Sequence, residues 1–117
     1  MEKIQEPLSE KREHARIDLE TEVSIRPIHG ASRIPGWIED ISQGGLKVRA
    51  GTPLNFKGLF HEGDQILFET QEDFFKLRGK GEIRWTAVEK GKVGIKFNEL
   101  DNHSRESLEA FLSMFSG

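Results

Sequence analysis

The first residues of chemical interest are two arginines near the N-terminus. Arg12 and Arg16 are four positions apart, and Lys11 directly precedes them. A guanidinium presents a planar fork of donors that pairs bidentately with phosphate, and its flat face stacks on a purine ring. Two such groups on a mobile segment could close over a phosphorylated nucleotide. Taken alone, the same residues also fit a solvated charged tail.

The second group combines a carboxylate, a hydroxyl and two glycines. Asp40 and Ser42 are two positions apart on a predicted strand, so their side chains share one face. We expect that face to point outward, because Trp37 and Ile41 on the opposite face suit the core better. The pair Gly44-Gly45 permits a turn with positive φ and a close approach of other groups. The carboxylate could bind the donor edge of guanine, although Asp, Ser and Gly also build ordinary hairpin turns.

Short strands are the elements that must position these groups. Leu19, Thr21, Val23 and Ile25 alternate with polar residues, which predicts a half-buried strand. Further strand-like runs, separated by turn-forming residues, cover residues 34–42, 46–49, 65–70, 75–85 and 93–97. Glycines at positions 79 and 81 predict a bulge or bend in the long run. The tryptophans at 37 and 85 could stack on a base, but both lie in apolar strand patterns, so both are expected in the core.

The last segment has the periodicity of a helix. Apolar residues at 108, 111, 112 and 115 recur at i, i+3, i+4 and i+7, and either residue of Asp101-Asn102 could cap the helix. Six strands followed by one helix predict a mainly β protein. The expected fold is a six-stranded antiparallel β-barrel with a C-terminal α-helix and a flexible N-terminal segment. We assign residues 1–10 to a flexible tail and 11–117 to a single domain.

Composition argues against several classes of protein. The chain has 117 residues, of which 35% are hydrophobic and 32% charged, as expected for one soluble domain. It has no cysteine, and its four histidines are scattered, so neither disulfides nor a metal site is expected. The net charge of −3 argues against a nucleic-acid partner. No apolar run approaches the length of a membrane span and no signal peptide is evident, which predicts a cytoplasmic protein.

Enzymatic chemistry is not expected either. No histidine stands at a spacing that would form a catalytic triad with Ser42 and Asp40. Paired carboxylates and a phosphate-cradling loop are not evident in the sequence. The polar residues are therefore interpreted as a binding site.

The two motifs together resemble a known family. RxxxR, followed some twenty-odd residues later by DxSxxG, is the signature of PilZ domains, and here it comprises Arg12, Arg16, Asp40, Ser42 and Gly45. The resemblance extends over residues 81–85 and 94–97 and over the closing helix. It implies a six-stranded barrel whose outer surface binds cyclic di-GMP, without a further cofactor. It also implies that the two arginines contact phosphate and guanine, that the carboxylate and hydroxyl hold a guanine edge, and that the glycine keeps the turn open.

The function implied by the resemblance is a receptor module for cyclic di-GMP. The ligand would draw residues 11–16 onto the barrel and change the surface offered to a protein partner. A basic residue at Lys11 is compatible with a stacked pair of ligands, which some members of the family bind in place of one. The alternative is a ligand-independent interaction adaptor with the same barrel. Because all five signature residues are present, the receptor interpretation is favoured.

Overall fold

Six strands and one helix make up the part of the chain that the computed structural model describes, residues 17–30, 32–51, 59–70, 75–87 and 90–114. The elements are β1 (Ile17–Pro27), β2 (Ile34–Ile41), β3 (Gly45–Ala50), β4 (Gln65–Thr70), β5 (Arg78–Ala87), β6 (Lys92–Leu100) and α1 (Asn102–Ser113). Every strand pair is antiparallel, and the order β1-β2-β3-β6-β5-β4 closes into a barrel. The predicted fold is confirmed. The predicted flexible tail lies outside the described residues.

The alternation of β1 follows the prediction. Thr21, Val23 and Ile25 are fully buried, whereas the residues between them are only half-buried. Side chains of a strand point to opposite faces in turn, so one face of β1 lines the barrel interior. β1 closes the barrel by pairing with β2 on one side and with β4 on the other.

Two β-bulges interrupt the alternation elsewhere. The pairing of β2 with β3 shifts between Ile38 and Asp40, and that of β5 with β6 shifts between Ile83 and Trp85. A bulge opposes two residues to one and re-aims the following side chains. A further shift between Lys80 and Gly81 confirms the irregularity predicted there from the glycines.

The bulges explain why one expectation about the core is wrong. Trp37 and Trp85 do not pack inside the barrel, and each is 37% exposed. Strict alternation would place Trp37 on the same face of its strand as Ile41, and Trp85 on the same face as Ile83. Both isoleucines are fully buried. One extra residue in each strand breaks that phase, so both indoles lie on the outer surface.

The barrel interior is filled by branched aliphatic and aromatic side chains. Phe68 and Phe75 are the bulkiest of the almost completely buried residues, and both belong to one continuous core. Complete burial of a side chain of this kind stabilises the fold by about 1.5–3 kcal/mol relative to leaving it exposed. Phe97 packs against the core from β6, with its ring centroid 5.5 Å from that of Phe68.

The helix α1 packs against the barrel through its apolar stripe. Leu108 is buried, and the ring of Phe111 lies 4.9 Å from that of Phe75, centroid to centroid. Asp101 is the N-cap, and its Oδ1 accepts a hydrogen bond from the Ser104 amide at 2.7 Å. The predicted packing of the stripe is confirmed up to residue 112, and residue 115 lies outside the described residues.

A second contact of Ser104 ties the helix to the barrel. Its hydroxyl is buried and accepts a hydrogen bond from the backbone amide of Arg78 at 2.8 Å.

Within the described residues, the chain forms no helix with the length and apolarity that a membrane crossing requires.

Candidate functional site

The bulge in β2 turns two successive carboxylates toward the outside of the barrel. Ile38 and Ile41 are fully buried, so Glu39 and Asp40 between them both face outward. Asp40 is the register partner of Lys47, whose neighbours on β3 point into the core. The predicted orientation of Asp40 is therefore correct, although the whole residue is only 8% exposed.

Lys47 lies between the two carboxylates. Its Nζ is 3.4 Å from Oδ2 of Asp40 and 3.7 Å from Oε1 of Glu39. The lysine side chain is 33% exposed, so it can be reached from solvent. The arrangement places an acceptor and a donor side by side on the outer surface.

Glu39 is the centre of a wider ion-pair network. Its carboxylate accepts a hydrogen bond from Nε of Arg49 at 2.9 Å and lies 3.1 Å from Nζ of Lys92. Burial alone would raise the pKa of Glu39, but hydrogen bonds from Lys92 and Arg49 and the nearby lysine charges outweigh burial and lower it. Arg49 also contacts Glu20, with NH2 3.5 Å from Oε2. Glu39 is thus held as an anion.

The turn after β2 is closed by its own hydrogen bonds. The amide of Ser42 donates to the carbonyl of Gly45 at 2.9 Å, and the Ser42 hydroxyl accepts from the amide of Gly44 at 3.3 Å. Ser42 is 9% exposed. Its hydroxyl therefore shapes the turn beside Asp40, as the simpler interpretation of this motif expected.

The two glycines of the turn serve different purposes. The expected positive φ is not found at either, and among the described glycines it occurs at Gly63 and Gly91. A Cβ at Gly45 would collide with the carbonyl oxygen of Ile95 on β6, so close strand approach requires glycine there. A Cβ at Gly44 would meet nothing within 4 Å, so one side of the turn is open.

Trp85 adds an exposed aromatic surface, although the sequence interpretation preferred core packing for this residue over a stacking role. A Cβ at Gly94 would collide with its indole, so the ring lies directly over Gly94. Gly94 is paired with Lys47 on the neighbouring strand β3. A row across the outer face therefore runs from Asp40 through Lys47 to the indole. No local signal reveals this row, because it depends on the strand register and on the bulge before Trp85.

The remaining predicted ligand residues, Lys11, Arg12 and Arg16, lie outside the described residues. The described chain begins at Ile17, which pairs with Ile41, and Asp18 pairs with Asp40. β1 thus enters the barrel directly beside the site.

The described residues line at least two cavities on the barrel surface. A cleft of about 220 Å³ lies between the turn, β6 and α1, where Gly44, Lys96 and Arg105 line it. A larger cavity of about 500 Å³ is formed by β1, β4, β5 and β6, away from Asp40. Three ion pairs line it: Arg33–Glu69, Lys80–Glu99 and Arg78–Asp101. Across the five described ranges, no three His, Asp or Glu side chains form a group that could hold a metal ion.

Comparison with known proteins gives one family. The profile of the PilZ domain matches residues 10–113. None of the curated proteins is significantly similar in sequence to this chain.

Solved structures with the same fold include two PilZ domains and one chain about twice as long as this one. The PilZ domain of CeSA from a cellulose-synthesizing bacterium aligns with a TM-score of 0.65 and 16% identity, over 88% of this chain and 99% of that one. The PilZ domain of YcgR from Escherichia coli, solved with c-di-GMP, aligns with a TM-score of 0.70 and 12% identity, over 89% of this chain and 90% of that one. The Bacillus subtilis inhibitor of motility (MotI/DgrA) aligns with a TM-score of 0.66 and 19% identity, over 98% of this chain and 53% of that one.

At these identities the structural likenesses show the fold, whereas the profile match covers most of the sequence. The signature residues that the structure describes lie near the end of β2, in the turn that follows and at the start of β3. The chain belongs to the PilZ domain family.

Proposed function

We propose that this chain is a receptor domain for cyclic di-GMP. The observation that carries the proposal is the position of Asp40, which the β2 bulge turns to the outer face beside Lys47 and the turn at Ser42. Membership of the PilZ family supports the ligand class, as does the likeness in fold to a YcgR domain solved with c-di-GMP.

Guanine recognition is assigned to Asp40 and Ser42. An ionised carboxylate is purely an acceptor, with about four lone-pair sites. The Watson–Crick edge of guanine presents two neighbouring donors, N1–H and the N2 amino group. Asp40 would accept from both, and the Ser42 hydroxyl would add a contact at the same edge.

Phosphate recognition is assigned to Arg12 and Arg16, with Lys11 as a further cation. Two supports for this assignment are the pairing of Ile17 with Ile41 and that of Asp18 with Asp40. The described chain therefore begins next to the carboxylate. Guanidinium groups bind phosphate bidentately and stack on purines, so they would complete the site.

The turn and the indole would complete the binding surface. The open side of Gly44 gives a ligand access to the backbone of the turn. Trp85, 37% exposed and lying over Gly94 next to Lys47, offers a flat apolar surface to a purine.

The output of the domain is proposed to be a conformational change. Ligand binding would draw residues 11–16 onto the barrel and so alter the surface available to a protein partner. The ¹⁵N relaxation of these residues, measured with and without ligand, tests this step. Equal mobility in both states would rule it out.

Calorimetric titration of cyclic di-GMP into the full chain tests the receptor proposal. We expect saturable binding with a dissociation constant in the micromolar range or below. Asp40→Asn and Arg16→Ala should each weaken binding by roughly 10- to 100-fold, because each removes a charge-assisted hydrogen bond. Glu99→Gln is the matched control. Glu99 forms a surface ion pair with Lys80, 3.6 Å from Nζ to Oε1, in a part of the barrel away from Asp40.

The opposite result would favour the adaptor interpretation. If the unmodified chain gives neither heat nor a rise in Tm with excess cyclic di-GMP, the receptor proposal is wrong. The barrel would then act as a ligand-independent interaction module.

A further inference from the structure

Lys47 has no assigned role in the PilZ signature, yet it is the cation closest to Asp40 among the described residues. The two are direct partners across β2 and β3, with Nζ 3.4 Å from Oδ2. Leu46 and Val48 are buried, so the lysine side chain projects from the outer face. A ligand that reaches Asp40 therefore also meets this ammonium group.

The geometry of the pair matches a complete guanine edge. On that edge the acceptor O6 stands next to the donors N1–H and N2–H, in the order acceptor, donor, donor. A carboxylate can satisfy the two donors only, so O6 requires a donor placed directly beside the carboxylate. The ammonium of Lys47 occupies that position relative to Asp40.

The ammonium also has the capacity for this contact. It carries three N–H donors, and Glu39 and Asp40 are the two carboxylates within 4 Å of it among the described residues. A third donor therefore remains for an acceptor on the ligand. The lysine side chain is 33% exposed, which allows the approach.

Glu39 fixes where the ammonium lies. Its carboxylate is anchored by Arg49 at 2.9 Å and by Lys92 at 3.1 Å, and it draws Lys47 to 3.7 Å. The bulge presents Glu39 and Asp40 side by side, so one lysine can bridge both. Glu39 is thus a positioning residue for Lys47.

We propose that Lys47 determines the base specificity of the site, by donating to O6 of the guanine whose N1–H and N2–H are accepted by Asp40. The inference rests on the proposed function and deepens it. Adenine presents an amino donor where guanine has O6, and an acceptor at N1. Against adenine, Lys47 would face a donor and Asp40 an acceptor, so the pair rejects that base as well as selecting guanine.

The test compares two cyclic dinucleotides on three forms of the full chain. Affinities for cyclic di-GMP and cyclic di-AMP are measured by calorimetry, with competition titrations for weak binding. The variants are Lys47→Met and the control Lys80→Met, whose lysine forms a comparable cross-strand pair with Glu99 at 3.6 Å. Thermal unfolding confirms that each variant is folded.

We expect Lys47→Met to weaken cyclic di-GMP binding by roughly 10- to 100-fold, as for the loss of one charge-assisted hydrogen bond. Cyclic di-AMP binding should stay the same or tighten, so the ratio of the two affinities collapses. Lys80→Met should leave both affinities unchanged. In a fourth form of the chain, Lys47→Arg keeps the charge and the donors and should retain most of the selectivity.

Three outcomes would overturn the inference while the receptor proposal stands. In Lys47→Met, an equal loss of affinity for both nucleotides would indicate that Lys47 attracts phosphate in general. A tighter affinity for cyclic di-GMP would indicate that Lys47 only competes for Asp40. An unchanged affinity for cyclic di-GMP would show that Lys47 does not contact the base. If the unmodified chain binds neither nucleotide, the proposed function fails, and the inference fails with it.

Discussion

The indole of Trp85 on β5 lies directly over Gly94 on β6. Only glycine allows this contact, because a Cβ at position 94 would collide with the ring. The contact depends on the bulge between Ile83 and Trp85, which turns the tryptophan outward. It places the indole next to Lys47, the register partner of Gly94 on β3. With Asp40 on β2, the candidate site therefore spans four strands.

Fluorescence should report ligand binding through Trp85 and not through Trp37. Both indoles are 37% exposed, but Trp37 pairs with Glu22 and Arg49 in a different row of the sheet. In a Trp37→Phe variant, where Trp85 is the remaining tryptophan, cyclic di-GMP should change the emission intensity. In the Trp85→Phe variant the emission should stay constant on titration. The reverse pattern would contradict the placement of the ligand over this row.

Gly45→Ala should destabilise the protein much more than Gly44→Ala. An alanine Cβ at position 45 would collide with the carbonyl oxygen of Ile95 and separate β3 from β6, whereas at position 44 it meets nothing within 4 Å. We expect a loss of about 1–3 kcal/mol in the free energy of unfolding for the first change, as for other overpacked sites. The second should stay within about 0.5 kcal/mol, as is usual at surface sites. Urea unfolding of both variants tests this, and equal losses would contradict it.

Ser104→Ala should loosen the attachment of α1 to the barrel. It would leave the backbone amide of Arg78 without the hydroxyl that now accepts from it at 2.8 Å, in a partly buried hydrogen bond. Loss of a buried partner costs about 1–3 kcal/mol. Ser113→Ala is the matched control, because that exposed hydroxyl donates to a carbonyl in its own helix. A chemical denaturation midpoint that falls equally in both variants would refute the prediction.

The stability of the ligand-free protein should depend on the ionisation of Glu39. The folded protein lowers the pKa of this carboxyl below its ordinary value of 4.5. The stabilisation is therefore fully present above about pH 4.5 and is lost as the pH falls through the lower folded pKa. The unfolding free energies of the protein and of Glu39→Gln, measured from pH 7 to pH 3, should converge toward the acid end. A difference that is constant over this range would show that the charge of Glu39 contributes nothing.

The architecture of the barrel was accessible from the sequence, because period-two patterns identify strands wherever pairing is regular. The β1 residues Thr21, Val23 and Ile25 follow the alternation and line the interior as predicted. The same rule fails for Trp37 and Trp85, since an extra residue in each strand shifts the phase. Neither bulge at these tryptophans carries a glycine signal like that of positions 79 and 81.

The site was accessible only in part. Asp40, Ser42 and Gly45 come from a motif; Asp40 lies near the end of β2, Ser42 in the turn that follows, and Gly45 begins β3. Lys47 and Trp85 come into the site through cross-strand register, which joins residues far apart in sequence. A motif is local in sequence, whereas the neighbours of Asp40 on the sheet are set by pairing. Residues contributed by adjacent strands therefore require the fold.

The most direct test of the central claim is an NMR titration of the ¹⁵N-labelled full chain with cyclic di-GMP. We expect the largest shifts at the backbone amides of residues 40–47 and at the indole N–H of Trp85. Amides beside the cavity of about 500 Å³ that Lys80 and Glu99 line should barely move. Shifts that concentrate at that cavity, or a spectrum unchanged by excess ligand, would contradict a cyclic di-GMP site at Asp40.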